Sequence, residues 1–120
     1  MSNWLLTFEN YRSDQTLLAT LKTQLRVLLD DYGYSRENPH VVPVIKSISE
    51  LEASLERAER SLNEYVRSAS TPREAAKRSD ERLFLTYRYI HGMTMEETAE
   101  EMSVSRDTVY RIKRRLADMH

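Results

Sequence analysis

The feature that most constrains the fold of this chain is a regular spacing of apolar residues along its middle third. These residues recur at intervals of four, three, four, three, four, three and four. That heptad pattern predicts a long helix that packs along its whole length against another helix, as in a coiled coil. The seam comprises Val44, Ile48, Leu51, Leu55, Ala58, Leu62, Tyr65 and Ala69.

A second apolar stripe with helical spacing precedes the seam and predicts a first long helix from about Ser2 to Tyr32. The segment Arg12–Thr16 has no strongly apolar residue and contains Ser13, a possible cap, so we expect the helix to break or restart there. Gly33 ends the stripe. The next residues, up to Pro43, have the composition of a loop.

Two long helices joined by a short loop predict an antiparallel hairpin over residues 1–70. Its first helix carries more leucine than one neighbouring helix can bury, because Leu17 and Leu29 widen the stripe. A second copy that completes a four-helix bundle would cover the excess, so we expect a homodimer. The predicted oligomerisation residues are Leu18, Leu21, Leu25, Leu28, Ile48, Leu51, Leu55 and Leu62.

A second domain is predicted over residues 71–120, because three local signals start helices there. Thr71 is a candidate cap with Pro72 at the first helical position and Glu74 closing a capping box. Thr94 with Glu97 repeats the pattern, and Ser105 is the third cap. We also expect a restart at Ser79, an apolar cluster of Leu83, Phe84, Tyr87, Tyr89 and Ile90, and a stop at Gly92.

The last two predicted helices have the apolar spacing of a helix-turn-helix. Ala99 is small where the helices cross, and Val104 is expected to plug the turn between them. Met102, Val109 and Ile112 complete the predicted contact. With two glycines, three prolines and 31% charged residues in the chain, the fold class is all-α: a long hairpin followed by a helix-turn-helix module.

Charge is strongly divided within this module, although the net charge of the chain is only −1. Residues 96–101 contain four acids and no base, whereas residues 106–115 contain five basic residues and Asp107 as the only acid. A basic outward face on the second helix predicts binding to double-stranded DNA. The acidic face is expected to be solvated, with a patch for RNA polymerase as the alternative.

The predicted DNA-binding residues divide by the part of the duplex that each can reach. Arg106 and Arg111 are candidates for reading guanine, since arginine can donate two hydrogen bonds to that base. Residues further along the helix are expected to contact phosphates, which position a protein without specifying a sequence. The full set is Arg88, Ser105, Arg106, Asp107, Thr108, Tyr110, Arg111, Lys113, Arg114 and Arg115.

Residues 85–111, from Leu85 to Arg111, resemble region four of bacterial sigma factors. They are still more similar to the phage and prophage regulators of the ArpU and RinA kind, which carry this module at their C-terminus. The similarity covers about residues 80–117. It implies that the second motif helix enters the major groove and that the protein is a phage-encoded regulator, with activation of late genes as its expected role. Two positions depart from the family pattern. Thr98 stands where Ile or Val is common, and Ser103 stands where Gly or Asn often makes the turn.

Other function classes find little support in the sequence. There is no cysteine, and His40, His91 and His120 are isolated, so we expect no metal and no cofactor. No phosphate-binding loop or nucleophile motif is present, so an enzyme is not expected. We expect a protein of the bacterial host cytoplasm without a membrane span. The alternatives are a packaging component similar to a small terminase subunit and a helical adaptor that binds protein.

Overall fold

The computed structural model describes residues 3–119, and within that range the protein has five α-helices and no β-strand. The all-α fold class is therefore confirmed. The helices are α1 (Trp4–Arg26), α2 (Val42–Arg67), α3 (Pro72–Leu85), α4 (Met95–Met102) and α5 (Arg106–Ala117). Both α1 and α3 continue into one π-helical turn, Val27–Asp31 and Thr86–Ile90 respectively. Ser2, the expected start of the first helix, lies outside the described residues.

The two breaks expected inside helices are absent, because α1 runs through Ser13 and α3 runs through Ser79. Each serine can cap a helix, but both lie beside residues that pack against a neighbouring helix. Tyr11 is buried and its hydroxyl donates to Glu59 of α2 at 2.7 Å. Glu81 is buried two residues after Ser79. Tertiary packing thus outweighs the local capping preference at both sites.

The two glycines lie just beyond the π-helical turns, where the sequence predicts the helices to end. Both have a left-handed φ, +67° at Gly33 and +69° at Gly92, which a residue with a Cβ rarely adopts. The backbone then reaches back over the turn: the amide of Tyr34 donates to the Leu28 carbonyl and that of Met93 to the Tyr87 carbonyl, each at 3.0 Å. A Cβ at Gly92 would also collide with the Arg12 guanidinium.

By its internal contacts the chain divides into two compact units. The smaller unit comprises residues 13–57, and the larger unit comprises residues 1–12 and 58–120. This division cuts both α1 and α2. The predicted division into an oligomerisation region, residues 1–70, and a DNA-binding domain, residues 71–120, stays a prediction.

In the smaller unit, α1 and α2 pack as an antiparallel pair, with Lys22 3.5 Å from Glu52. Val41, Val44 and Ile48 are buried. The remaining leucines of the predicted oligomerisation set in this unit are only partly buried, namely Leu18, Leu21, Leu25, Leu28, Leu51 and Leu55. Leu17 is 48% exposed and borders a cavity of about 400 Å³ together with Leu21, Ser47, Glu50 and Leu51. Apolar surface therefore stays open on this pair.

The larger unit has a closed core to which all five helices contribute. Trp4, Phe8 and Tyr11 come from α1 and Leu62 from α2. The remaining buried apolar residues belong to the C-terminal segment: Phe84, Leu85, Tyr89, Met95, Ala99, Val109, Ile112 and Leu116. Leu83, expected in this core, is exposed instead. Successive helical residues point about 100° apart, so a helix that buries Phe84 and Leu85 turns Leu83 toward solvent.

Candidate nucleic-acid interface

The helix that precedes the turn, α4, begins with the predicted capping box. The Thr94 hydroxyl accepts a hydrogen bond from the Glu97 amide, and the Glu97 carboxylate accepts one from the Thr94 amide, each at 3.1 Å. These bonds satisfy two amides that the helix itself leaves unpaired. The backbone bond from Thr94 holds the pKa of Glu97 below its ordinary value. The start of α4 is therefore fixed by its own sequence.

The cap of α3 differs from its prediction by one residue. Thr71 accepts from the Glu74 amide at 3.1 Å and Pro72 is the first helical residue, as the sequence predicts. Glu74, however, accepts from the amide of Ser70 and not from that of Thr71. This bond lowers the pKa of Glu74. The box is therefore closed one residue earlier than expected.

The turn between α4 and α5 is made by a serine in a left-handed conformation. Ser103 has a φ of +57°, and the next amide, that of Val104, donates back to the Ala99 carbonyl at 3.0 Å. The expectation that the Val104 side chain plugs the turn is wrong, since it is 37% exposed. Backbone bonds close the turn instead. The fully buried Thr98 lies in the core of the motif and satisfies its hydroxyl on the Thr94 carbonyl at 2.8 Å.

One face of α5 is buried and the opposite face is open. Ser105 caps the helix by accepting from the Thr108 amide at 3.2 Å, as predicted. Val109 and Ile112 are buried, and so is Leu116, which the sequence analysis does not name. The spacing of three and then four residues through these positions is the signal that could have found it. The open face carries the predicted residues Arg106, Asp107, Tyr110, Arg111 and Arg114.

The basic residues of α5 differ in the partners that they already have. Arg106 lies 3.1 Å from the Glu96 carboxylate and places its guanidinium 5.5 Å from the centre of the Tyr110 ring. Within residues 3–119, no acidic side chain forms an ion pair with Arg111, Lys113 or Arg114. Arg111 and Arg114 are also exposed. These two arginines are therefore the most available cations on the helix.

Two arginines of the predicted DNA-binding set have protein partners. Arg115 pairs with the buried carboxylate of Glu81 at 3.5 Å. Arg88 donates to the Met93 carbonyl at 3.0 Å and lies over the Tyr89 ring at 5.5 Å. Burial, followed by the negative charge of Glu9, raises the pKa of Tyr89. Contacts of Arg88 and Arg115 with DNA stay predictions, and each would have to be made in addition to these bonds or in exchange for them.

Across residues 3–119, no helix is both long and apolar enough to cross a bilayer. Nor do three or more potential metal ligands come together within that range. His120, one of the three histidines considered above, lies outside it.

Comparison with known proteins bears on the C-terminal third. Neither the curated proteins nor the solved structures gave a match. Residues 79–116 match the family model described as Sigma-70, region 4. The matched range begins within α3 and contains α4, the turn and all of α5 except its last residue. The resemblance to region four is therefore confirmed: the C-terminal third carries a helix-turn-helix module similar to sigma-70 region 4.

Proposed function

We propose that this protein is a sequence-specific transcriptional regulator that places α5 in the major groove of double-stranded DNA. The observation that carries the proposal is the division of α5 into two faces. Its buried face packs on the core through Val109, Ile112 and Leu116, and its open face presents Arg111 and Arg114, which have no acidic partner among residues 3–119. Packing alone does not require this basic face, whereas a phosphate-lined groove does.

Arg111 is the principal base-reading residue in this proposal. It lies in the middle of the helix, is exposed, and has no ion-pair partner to give up in the described part of the chain. Arg106 is the second reader, but it must exchange its contact with Glu96 for a base. The net gain from Arg106 is therefore smaller. Arg114 and Lys113 lie further along α5 and contact phosphates.

The regulator is proposed to be phage-encoded and to activate transcription, as the resemblance to the ArpU and RinA kind implies. An activator needs a contact with RNA polymerase, and the acidic face of α4 is the available surface. On that face Glu97 is occupied by the capping box and Glu96 by Arg106. Glu100 and Glu101 are exposed and complete the candidate patch.

A homodimer is part of the proposal. Its support is the open apolar surface of the smaller unit, where Leu17 is exposed and the other α1 leucines are only partly buried. A second copy would cover these leucines. Two linked modules would also bind two half-sites with a high effective concentration, which a single small module lacks.

The proposal is tested by selecting bound fragments from a random duplex library and titrating the variants on the selected site. Arg111→Ala should lose about 1–3 kcal/mol on that site and little on a scrambled duplex. Arg114→Ala should weaken both duplexes alike. Arg36→Ala, an exposed arginine in the loop of the smaller unit, is the matched control and should change neither. Equal losses for all three variants would contradict the assignment of α5 as the DNA-contacting helix.

Mass measurement of the free and DNA-bound chain separates the rival functions. A dimer on one selected site supports the regulator. A ring-sized oligomer would instead favour the packaging component. A chain that selects no DNA but captures a protein would favour the adaptor.

A further inference from the structure

A buried carboxylate outside the DNA-facing surface lies at the junction of three helices. Glu81 of α3 is 1% exposed, and its two oxygens face different helices. Oε2 accepts a hydrogen bond from the Tyr65 hydroxyl of α2 at 3.1 Å, whereas Oε1 lies 3.5 Å from the Arg115 Nε of α5. Carboxylates are almost never buried to this degree without partners. Both partners are therefore needed to keep Glu81 where it is.

Further contacts hold Tyr65 in this cluster. Its ring centre lies 5.4 Å from that of Trp4 on one side and 4.5 Å from the Arg78 guanidinium on another. Arg78 also donates to the Tyr65 carbonyl at 2.8 Å. Burial, and then the charge of Glu81, raises the pKa of Tyr65, so its hydroxyl remains a donor at neutral pH. Glu81 is therefore held in position by α2 and presents a negative charge to α5.

Arg115 is the residue of α5 that contacts Glu81. In the sequence it is indistinguishable from its neighbour Arg114, but the structure separates the two. The Arg114 side chain is exposed, whereas that of Arg115 is 29% exposed and its buried Nε makes no hydrogen bond within residues 3–119. The charge of Arg115 thus balances Glu81 and is turned away from the open face of α5.

We infer that Glu81 is a positioning residue for DNA recognition, which fixes the last turn of α5 through Arg115 and withholds that cation from phosphate. The inference rests on the proposed function, because it concerns which side chains of α5 reach DNA. A helix held at this end presents Arg111 to base edges in one orientation. A released Arg115 would instead add a phosphate contact that is the same for every sequence. Glu81 therefore favours specific over non-specific binding.

The test uses the full chain and measures binding to the selected and scrambled duplexes between 50 and 200 mM salt, the range over which phosphate contacts are counted. Glu81→Gln is compared with Asp80→Asn, an exposed neighbour on the same helix that loses the same charge. Each phosphate contact changes the slope of log K against log salt by about 0.9. We expect Glu81→Gln to steepen this slope by about 0.9 relative to Asp80→Asn. The ratio of specific to non-specific affinity should fall several-fold.

Arginine variants provide the second arm of the test. Arg114→Gln should flatten the salt slope by about 0.9, whereas Arg115→Gln should leave it unchanged, because Arg115 makes no phosphate contact in the native protein. A flattening by Arg115→Gln equal to that of Arg114→Gln would overturn the inference. So would equal slopes and equal affinity ratios for Glu81→Gln and Asp80→Asn.

Circular dichroism and a thermal melt show first whether each variant is folded at the temperature of the titration. If Glu81→Gln is not, Tyr65→Phe takes its place, since it removes one hydroxyl and keeps the ring. This variant should lower the affinity ratio, and the exposed Tyr32→Phe should not. Identical ratios for the two would overturn the inference. Failure of the proposed function looks different, because then the native chain binds no duplex selectively and Arg114→Gln has no effect.

Discussion

The two compact units are built from similar helices but bury their apolar residues to different degrees. In the larger unit, Phe8, Phe84, Leu85 and Leu116 have no exposed surface. In the smaller unit, the α1 leucines are only partly buried and Leu17 is about half exposed. Free energy from the hydrophobic effect scales with the apolar area removed from water. The larger unit therefore contains a closed core, although Leu6 at its edge is 54% exposed, whereas the smaller unit gains less per leucine and keeps apolar surface for the proposed second copy.

The largest expected change is in the free energy of unfolding, and it appears when one leucine in each unit is replaced by alanine. Leu85→Ala empties a fully buried position in the larger unit and should lower the free energy of unfolding by about 2–5 kcal/mol. Leu17→Ala removes a half-exposed side chain in the smaller unit and should cost less than about 1 kcal/mol in dilute solution. Urea denaturation followed by circular dichroism measures both.

Protein concentration sharpens this comparison. If Leu17 contributes to a dimer, the cost of Leu17→Ala should grow as the concentration of the native chain is raised, because association stabilises only the folded form. The cost of Leu85→Ala should change far less. If both variants lose the same free energy of unfolding at every protein concentration, the two units do not differ in the way that the exposed fractions of Leu17 and Leu85 indicate.

Where the sequence predicts the structure correctly, the cause lies within a few residues. Thr94 with Glu97, Ser105 and Gly92 each act through a bond or a backbone angle close to their own position. The small residue Ala99 at the helix crossing belongs to the same class, because its partner helix follows after a short turn. Local chemistry was sufficient to place the helix-turn-helix and its open basic face.

Other features depend on a distant partner that no local pattern indicates. Arg115 pairs with Glu81, which lies 34 positions earlier and is one of 19 acidic residues in the chain, so spacing along α5 could not predict this ion pair. The continuity of α1 through Ser13 depends on packing against α2, and the exposure of Val104 depends on how the turn is closed. None of these follows from the spacing of residues along one helix.

The next largest loss of stability is expected from a substitution that overpacks the crossing of α4 and α5. Ala99 is 6% exposed at the crossing of α4 and α5 in the larger unit, so Ala99→Leu should cost about 1–3 kcal/mol through displaced side chains and backbone. Ala53→Leu makes the same change at an exposed position of α2 in the smaller unit. It should alter stability by less than about 0.5 kcal/mol. Thermal melts that respond equally to both would place the helix crossing elsewhere.

The smallest expected effect has the opposite sign and depends on one backbone angle. Ser103 ends α4 at a φ of +57°, where a Cβ costs about 1–2 kcal/mol and glycine is free of that strain. Ser103→Gly should therefore stabilise the protein by up to about 1 kcal/mol, since the greater entropy of unfolded glycine offsets part of the gain. The matched control, Ser49→Gly, lies in the interior of α2 in the smaller unit, where glycine is the poorer helix former and should cost about 0.5 kcal/mol. Urea denaturation of both variants decides the point, because two losses of stability would contradict the left-handed turn at Ser103.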